Sequence, residues 1–159
     1  MQPINSNYCS QLTYKFKIIS IYTIALFYIS AGITHFTNYD FFEPLVPPVL
    51  IFKSEIVYLS GIIEIVLGLL LCIKITRHKA ALGIILLLIT VFPANVYLCF
   101  SEVTREAIGI SINKALIRLP FQIPLLIIAY WHSLEKSSER FSGICTFLFI
   151  LTVIYFISI

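Results

Sequence analysis

Five side chains carry most of the chemistry this chain offers inside an apolar environment: Glu64, Arg118, Gln122, Asn95 and His35. Glu64 sits near the middle of the otherwise apolar and small-residue run Leu59–Ile73. Hydrocarbon cannot solvate an ion, and a mid-helix acidic residue costs about 2.5 to 3.5 kcal/mol on insertion scales, so something must face it. On a helix the residues that share its face include Ser60, Gly61 and Gly68. Small residues at that spacing admit a second helix, so this face points into a bundle rather than at lipid. The pattern predicts an ion pair between Glu64 and Arg118, bridged by Gln122 and Asn95.

Two kinds of chemistry fit that set. A buried salt bridge that fixes helix register and removes two charges from lipid needs no ligand. A polar pocket that takes a small apolar ligand or a quinone head group uses the same residues for binding, since ionisable groups inside membranes commonly mark function. Alone, His35 reads as a helix-end side chain at the surface. No Cys/His spacing of a metal site is present, and Cys9, Cys72, Cys99 and Cys145 form no C-x-x-C pair. Cys72 is expected near the inner surface and Cys99 near the outer, too far apart to join. His35 and His132 are expected at opposite faces, which disfavours haem between them, and Trp131 with His132 reads as an interfacial anchor.

The elements that position these groups follow from composition. The 159 residues are 59% hydrophobic and only 12% charged, with a mean hydropathy of +0.96, far from the make-up of an average soluble domain. The excess falls in long runs, so the fold class is all-α: a transmembrane four-helix bundle with a further C-terminal transmembrane helix. Residues 1–15 read as a polar cytoplasmic tail, 16–132 as the four-helix membrane domain, 133–140 as a charged linker and 141–159 as the additional helix. The first run continues from Ser30-Ala31-Gly32 through Ile33 to Phe36, which favours a retained span over a cleaved leader. Between the first two spans, the segment with Tyr39, Phe41, Phe42, Pro44, Pro47 and Pro48 is expected to lie along the membrane surface as a cap. Pro93 is expected to free the carbonyl of Ile89, which a neighbouring polar group can satisfy. Residues 101–113 read as a polar loop, and Pro120 as the first residue of a regular helix.

Lys and Arg set the orientation. Lys15, Lys17, Lys74, Arg77, Lys79, Lys136 and Arg140 fall on one side; Lys53, Arg105 and Lys114 fall on the other, with Arg118 just inside the span. This places the amino terminus in the cytoplasm. With 1.5 Å of rise per residue, His35 lies at the outer surface and the others lie inside, at roughly 6 Å for Arg118, 9 Å for Asn95, 12 Å for Gln122 and 14 Å for Glu64. A net charge of +3, small and dispersed, fits topology signals and not a nucleic-acid footprint.

At these residues the chain resembles the DoxX-like family of small bacterial membrane proteins. The matching pieces are Ala31-Gly-Ile-Thr-His35-Phe36, Phe42-Glu-Pro-Leu-Val-Pro47, Ser60-Gly-Ile-Ile-Glu64-Ile-Val-Leu-Gly68, Phe92-Pro-Ala-Asn95-Val-Tyr97 and Arg118-Leu-Pro120-Phe-Gln122. The resemblance implies a four-helix bundle in the bacterial cytoplasmic membrane, from which residues 141–159 depart. It also implies a membrane protein partner, since some relatives are named as subunits of quinol- or thiosulfate:quinone-oxidising complexes, others accompany methylamine utilisation, and an animal relative helps receptors assemble. The expected function is therefore an accessory subunit of a quinone-linked membrane redox system. An assembly or purely structural protein is the alternative, and a small-solute transporter a further one. No flavin, haem or iron–sulfur motif is visible, so any electron carrier belongs to the partner.

Overall fold

The computed structural model describes residues 6–158, with no strand among them. Helix α1 covers Ser6–Thr37 and α2 Tyr39–Phe42, followed by a 3-10 turn at Glu43–Leu45. The longer helices α3 (Lys53–Cys72) and α4 (Arg77–Phe100) come next, then the short α5 (Glu102–Ala107), α6 (Ile112–Ser133) and α7 (Glu139–Ser158). Five of these, α1 from Gln11 onward and α3, α4, α6 and α7, are long and apolar enough to cross a membrane. Length and composition together make this a multi-pass membrane protein. Leu26, Leu86, Ile123 and Ile144 point outward from four of the long helices, as a lipid-facing surface requires.

Each long helix packs on two others: α1 on α3, α3 on α4, α4 on α6, α6 on α7, and α7 back on α1. The shared interior is aliphatic, with Ile21, Ala25, Leu71, Ala81, Ile84, Ile128 and Phe149 fully or almost fully buried. The last helix joins this core through Ser142, Cys145, Phe149 and Thr152, spaced three and four apart on one face.

The tightest seam lies between α1 and α3. A Cβ at Gly32 would stand 2.6 Å from the carbonyl oxygen of Gly61, and one at Gly61 would stand 2.7 Å from Cβ of His35. Farther down the seam, a Cβ at Gly68 would meet the Ala25 carbonyl at 2.8 Å. These three glycines let two backbones approach to a distance that side chains forbid, which is how helices associate where lipid offers no hydrophobic incentive.

Two expectations are corrected, at the 101–113 loop and at Pro120. The described part of the segment read as a tail, from Ser6, is helical and continuous with the rest of α1; extending an existing helix adds one hydrogen bond per residue with no new nucleation cost. Residues 1–5 lie outside the described residues. The loop at 101–113 contains α5, capped by Ser101, whose Oγ accepts from the Thr104 amide. Arg105 reaches back from α5 to donate to the carbonyls of Leu98 and Cys99 and closes the end of α4. Finally, α6 is helical from Ile112, with Pro120 and Pro124 in its interior. Its first turns are held by Ala115 and Leu119, which pack with Leu98, Cys99 and Leu45 in a small second core, and that packing outweighs the local preference of a residue before proline.

Substituting Gly61→Ala should cost about 1–3 kcal/mol of stability, since backbone and not a flexible side-chain tip stands in the way. Unfolding in detergent micelles measures it; an unchanged midpoint would show that the α1–α3 seam is looser than described.

Candidate functional site

The carboxylate of Glu64 is matched from α1, not from α6. Its Oε2 lies 3.5 Å from Nε2 of His35, the one ion pair among the described residues. On the other edge of the ring, Nδ1 of His35 stands 3.0 Å from the Val57 carbonyl and 3.1 Å from Ser60 Oγ, while the Ser60 hydroxyl donates to that same carbonyl at 2.8 Å. A carbonyl can only accept, so the Val57 contact places a proton on Nδ1. Nε2 and Oε2 therefore face each other with one proton to share, as an imidazolium–carboxylate pair or as a neutral imidazole and carboxylic acid. Oε2 is buried and has no hydrogen bond, which leaves its acceptor lone pairs unused.

An aromatic cover closes the site. Phe42 of α2 stacks on the His35 ring with centroids 3.7 Å apart. Phe36 and Tyr39 both stack on Tyr58, and the Tyr39 hydroxyl meets Ser54 Oγ at 3.0 Å. The surface cap expected from the prolines and aromatics thus sits over the α1–α3 seam, and it buries His35 where a surface-facing helix end was expected.

The other three candidates lie elsewhere. Asn95 of α4 donates to Oε1 of Gln122 on α6 at 3.4 Å, and the Gln122 amide donates to the Leu88 carbonyl. That carbonyl is one residue before the one Pro93 deprives of its donor, so the Gln122 amide meets α4 beside the proline and not at the Ile89 carbonyl, where a polar group was expected. Arg118 has its Nη1 buried without a hydrogen bond and lies within electrostatic reach of Tyr155 on α7. No ion pair joins it to Glu64 among the described residues. The reason is helix order: α3 packs on α1 and α4, and α6 packs on α4 and α7, so the acid and the guanidinium are on helices that are not neighbours. The five residues form a His35–Glu64 site, an Asn95–Gln122 bridge and a separate Arg118.

Beside the bridge lies a cavity of about 460 Å³ lined by Leu88, Phe92, Pro120, Gln122, Ile123 and Leu126. Its walls are apolar except for the Gln122 amide. As for metals, Glu64 and His35 supply two ligating atoms, and no third His, Cys, Asp or Glu joins them among the described residues.

A second polar group, at the opposite end, escaped the sequence reading. His132 Nε2 meets Ser20 Oγ at 2.9 Å, Lys17 Nζ donates to the Leu134 carbonyl at 2.6 Å, and His78 Nδ1 contacts the Ser133 carbonyl at 2.8 Å. Trp131 is fully buried, with the Lys17 ammonium 5.7 Å from its ring centroid. Trp131 and His132 are thus interior side chains and not an interfacial anchor. The placement of Lys17 and Ser20 three apart, on one face of α1, was the available signal.

Residues 24–133 match the family described as Domain of unknown function (DUF8561), and the chain belongs to that family. The matched stretch holds all five candidate residues and ends on the last residue of α6, so α7 lies beyond it. No curated protein and no solved structure matches the chain.

Double-mutant cycles test the pairing. Glu64→Gln combined with His35→Asn should show a coupling of about 0.5–3 kcal/mol in detergent unfolding, while Glu64→Gln with Arg118→Gln should add to within about 0.5 kcal/mol. The reverse ranking would return the acid to Arg118.

Proposed function

We propose that this chain is an accessory subunit of a quinone-linked membrane redox system, in which the His35–Glu64 pair meets the polar head of a quinone held between this chain and its partner. The carrying observation is a carboxylate and an imidazole 3.5 Å apart under an aromatic cover, with Oε2 otherwise unsatisfied. Reducing a quinone to a quinol takes up two electrons and two protons, and oxidising it releases them. A fixed pair that holds one mobile proton, with Nδ1–H anchored on Val57, can give or take a proton at a quinone oxygen without rebuilding its surroundings. The electrons pass through a carrier on the partner. The likeness of the five sequence pieces to DoxX-like proteins supports the same reading. In it, α1, α3, α4 and α6 correspond to the family's four-helix bundle, α7 is an addition on the seam between α6 and α1, and the membrane is the bacterial cytoplasmic membrane with the amino terminus inside.

A second reading is favoured by one observation: the pair sits on the glycine seam, beside Gly61. There it would act as a clamp between α1 and α3 in a protein with an assembly or structural role and no chemistry of its own.

The two readings separate on purification from quinone-containing bacterial membranes in a mild detergent. The quinone reading expects quinone at about one molecule per chain, well above the bulk-lipid ratio, or co-purification of an oxidoreductase. It also expects Glu64→Gln to lose most of either while unfolding within about 1 kcal/mol of wild type, because the amide still fills the site and can hydrogen-bond to Nε2. Quinone at the bulk ratio with no oxidoreductase would sink it. A variant that retains both partners but loses stability would favour the clamp.

A further inference from the structure

We infer that the end of the bundle bearing the basic loops holds a binding site for a phosphate-bearing anion, between α1, the start of α4 and the end of α6. A cavity of about 670 Å³ opens there, and Lys17, Lys74, Arg77, Lys136 and His132 line it, with Glu135 the only carboxylate in its wall. It is independent of the His35–Glu64 site, which lies between α3 and the other end of α1.

Two cations of this cavity, Lys17 and Arg77, are held in place by backbone carbonyls and not by acids, while Lys74 and Lys136 are exposed at its rim. Lys17 is about nine-tenths buried, and its ammonium donates to the Leu134 carbonyl, which leaves further N–H groups unused. Arg77 donates through Nε to Leu71 and through Nη2 to Cys72; these bonds close the end of α3 and leave Nη1 unspent. Among the described residues no ion pair involves Lys17, Lys74, Arg77 or Lys136. A buried ammonium with no counter-charge is costly, and a guanidinium and an ammonium fixed by carbonyls form a pre-organised receptor for an anion.

His132 supplies an observation of a different kind. The residue is 2% exposed and lines the cavity, its Nε2 is engaged by Ser20, and its Nδ1 has no hydrogen-bond partner at all. Orphaned buried nitrogens are rare and call for a partner. The positive end of the α4 dipole, in a helix of 24 residues that begins at Arg77, adds to the field. A phosphate group matches this set: its oxygens accept from Arg and Lys N–H groups and, with the Ser20 hydroxyl donating to Nε2 so that Nδ1 carries the ring proton, from the imidazole as well, and its charge balances the excess of cations. The group can belong to an acidic lipid whose head reaches in from the adjoining leaflet, or to free phosphate or a phosphate ester from solution.

The test uses the full chain in nanodiscs of phosphatidylcholine, with and without phosphatidylglycerol, and, separately, with inorganic phosphate added to the pure phosphatidylcholine discs. Bound lipid is counted by native mass spectrometry after release, and phosphate binding by calorimetry. Preferential retention of phosphatidylglycerol identifies a lipid source, and saturable phosphate binding in neutral discs identifies a soluble one; either supports the site. Lys17→Gln should weaken that binding about tenfold, as the loss of one charged hydrogen bond does. Should Lys17→Gln fail to fold, Lys74→Gln with Lys136→Gln, on the outer lip, should weaken it by about fivefold or more. Lys53→Gln with Lys114→Gln, at the far end, carries the same charge change and should leave binding unaltered. No preference for either anion, or an equal loss in the far-end variant, would overturn the site.

Discussion

A carboxylate inside a low-dielectric helix bundle must be matched, and which helix supplies the match organises the rest of this protein. Here it comes from α1, because the glycine seam draws α1 and α3 to near-contact and carries His35 to Glu64. The three glycines contribute no chemistry, yet the pair exists only because they have no side chains. Close backbone approach, carboxylate matching and the anchoring of Nδ1 on Val57 are therefore one structural fact seen from three sides.

The ends of the bundle solve a common problem with the same side chain. Helix ends leave carbonyls unpaired, and in a membrane protein water does not reach all of them. Arg77 reaches back to the end of α3 and Arg105 to the end of α4. Each guanidinium neutralises the negative end of a helix dipole while it satisfies the carbonyls. Around these caps the ends diverge: one carries the aromatic cover over the His35–Glu64 pair, the other a cavity walled by cations.

Periodicity and run length were enough to place the long helices, since hydrocarbon thickness sets a length that few sequences satisfy by accident. The additional C-terminal helix, expected over 141–159, lies at Glu139–Ser158. Errors fell where tertiary contact overrides local preference. Pro120 does not start α6 because packing around Ala115 holds the preceding turns helical, and residues 102–107 are helical because Ser101 caps them and Arg105 ties them to α4.

From residue types alone it was legible that Glu64 needs a partner and that its face carries small residues. Which residue answers Glu64 was not legible. Depth along a helix follows from counting at a fixed rise per residue, but neighbourhood depends on the order of helices around the bundle, and no spacing within one helix encodes it. That order set α3 against α1, left Arg118 to the α7 side, and brought Lys17, Ser20 and His132 together from segments far apart in the chain.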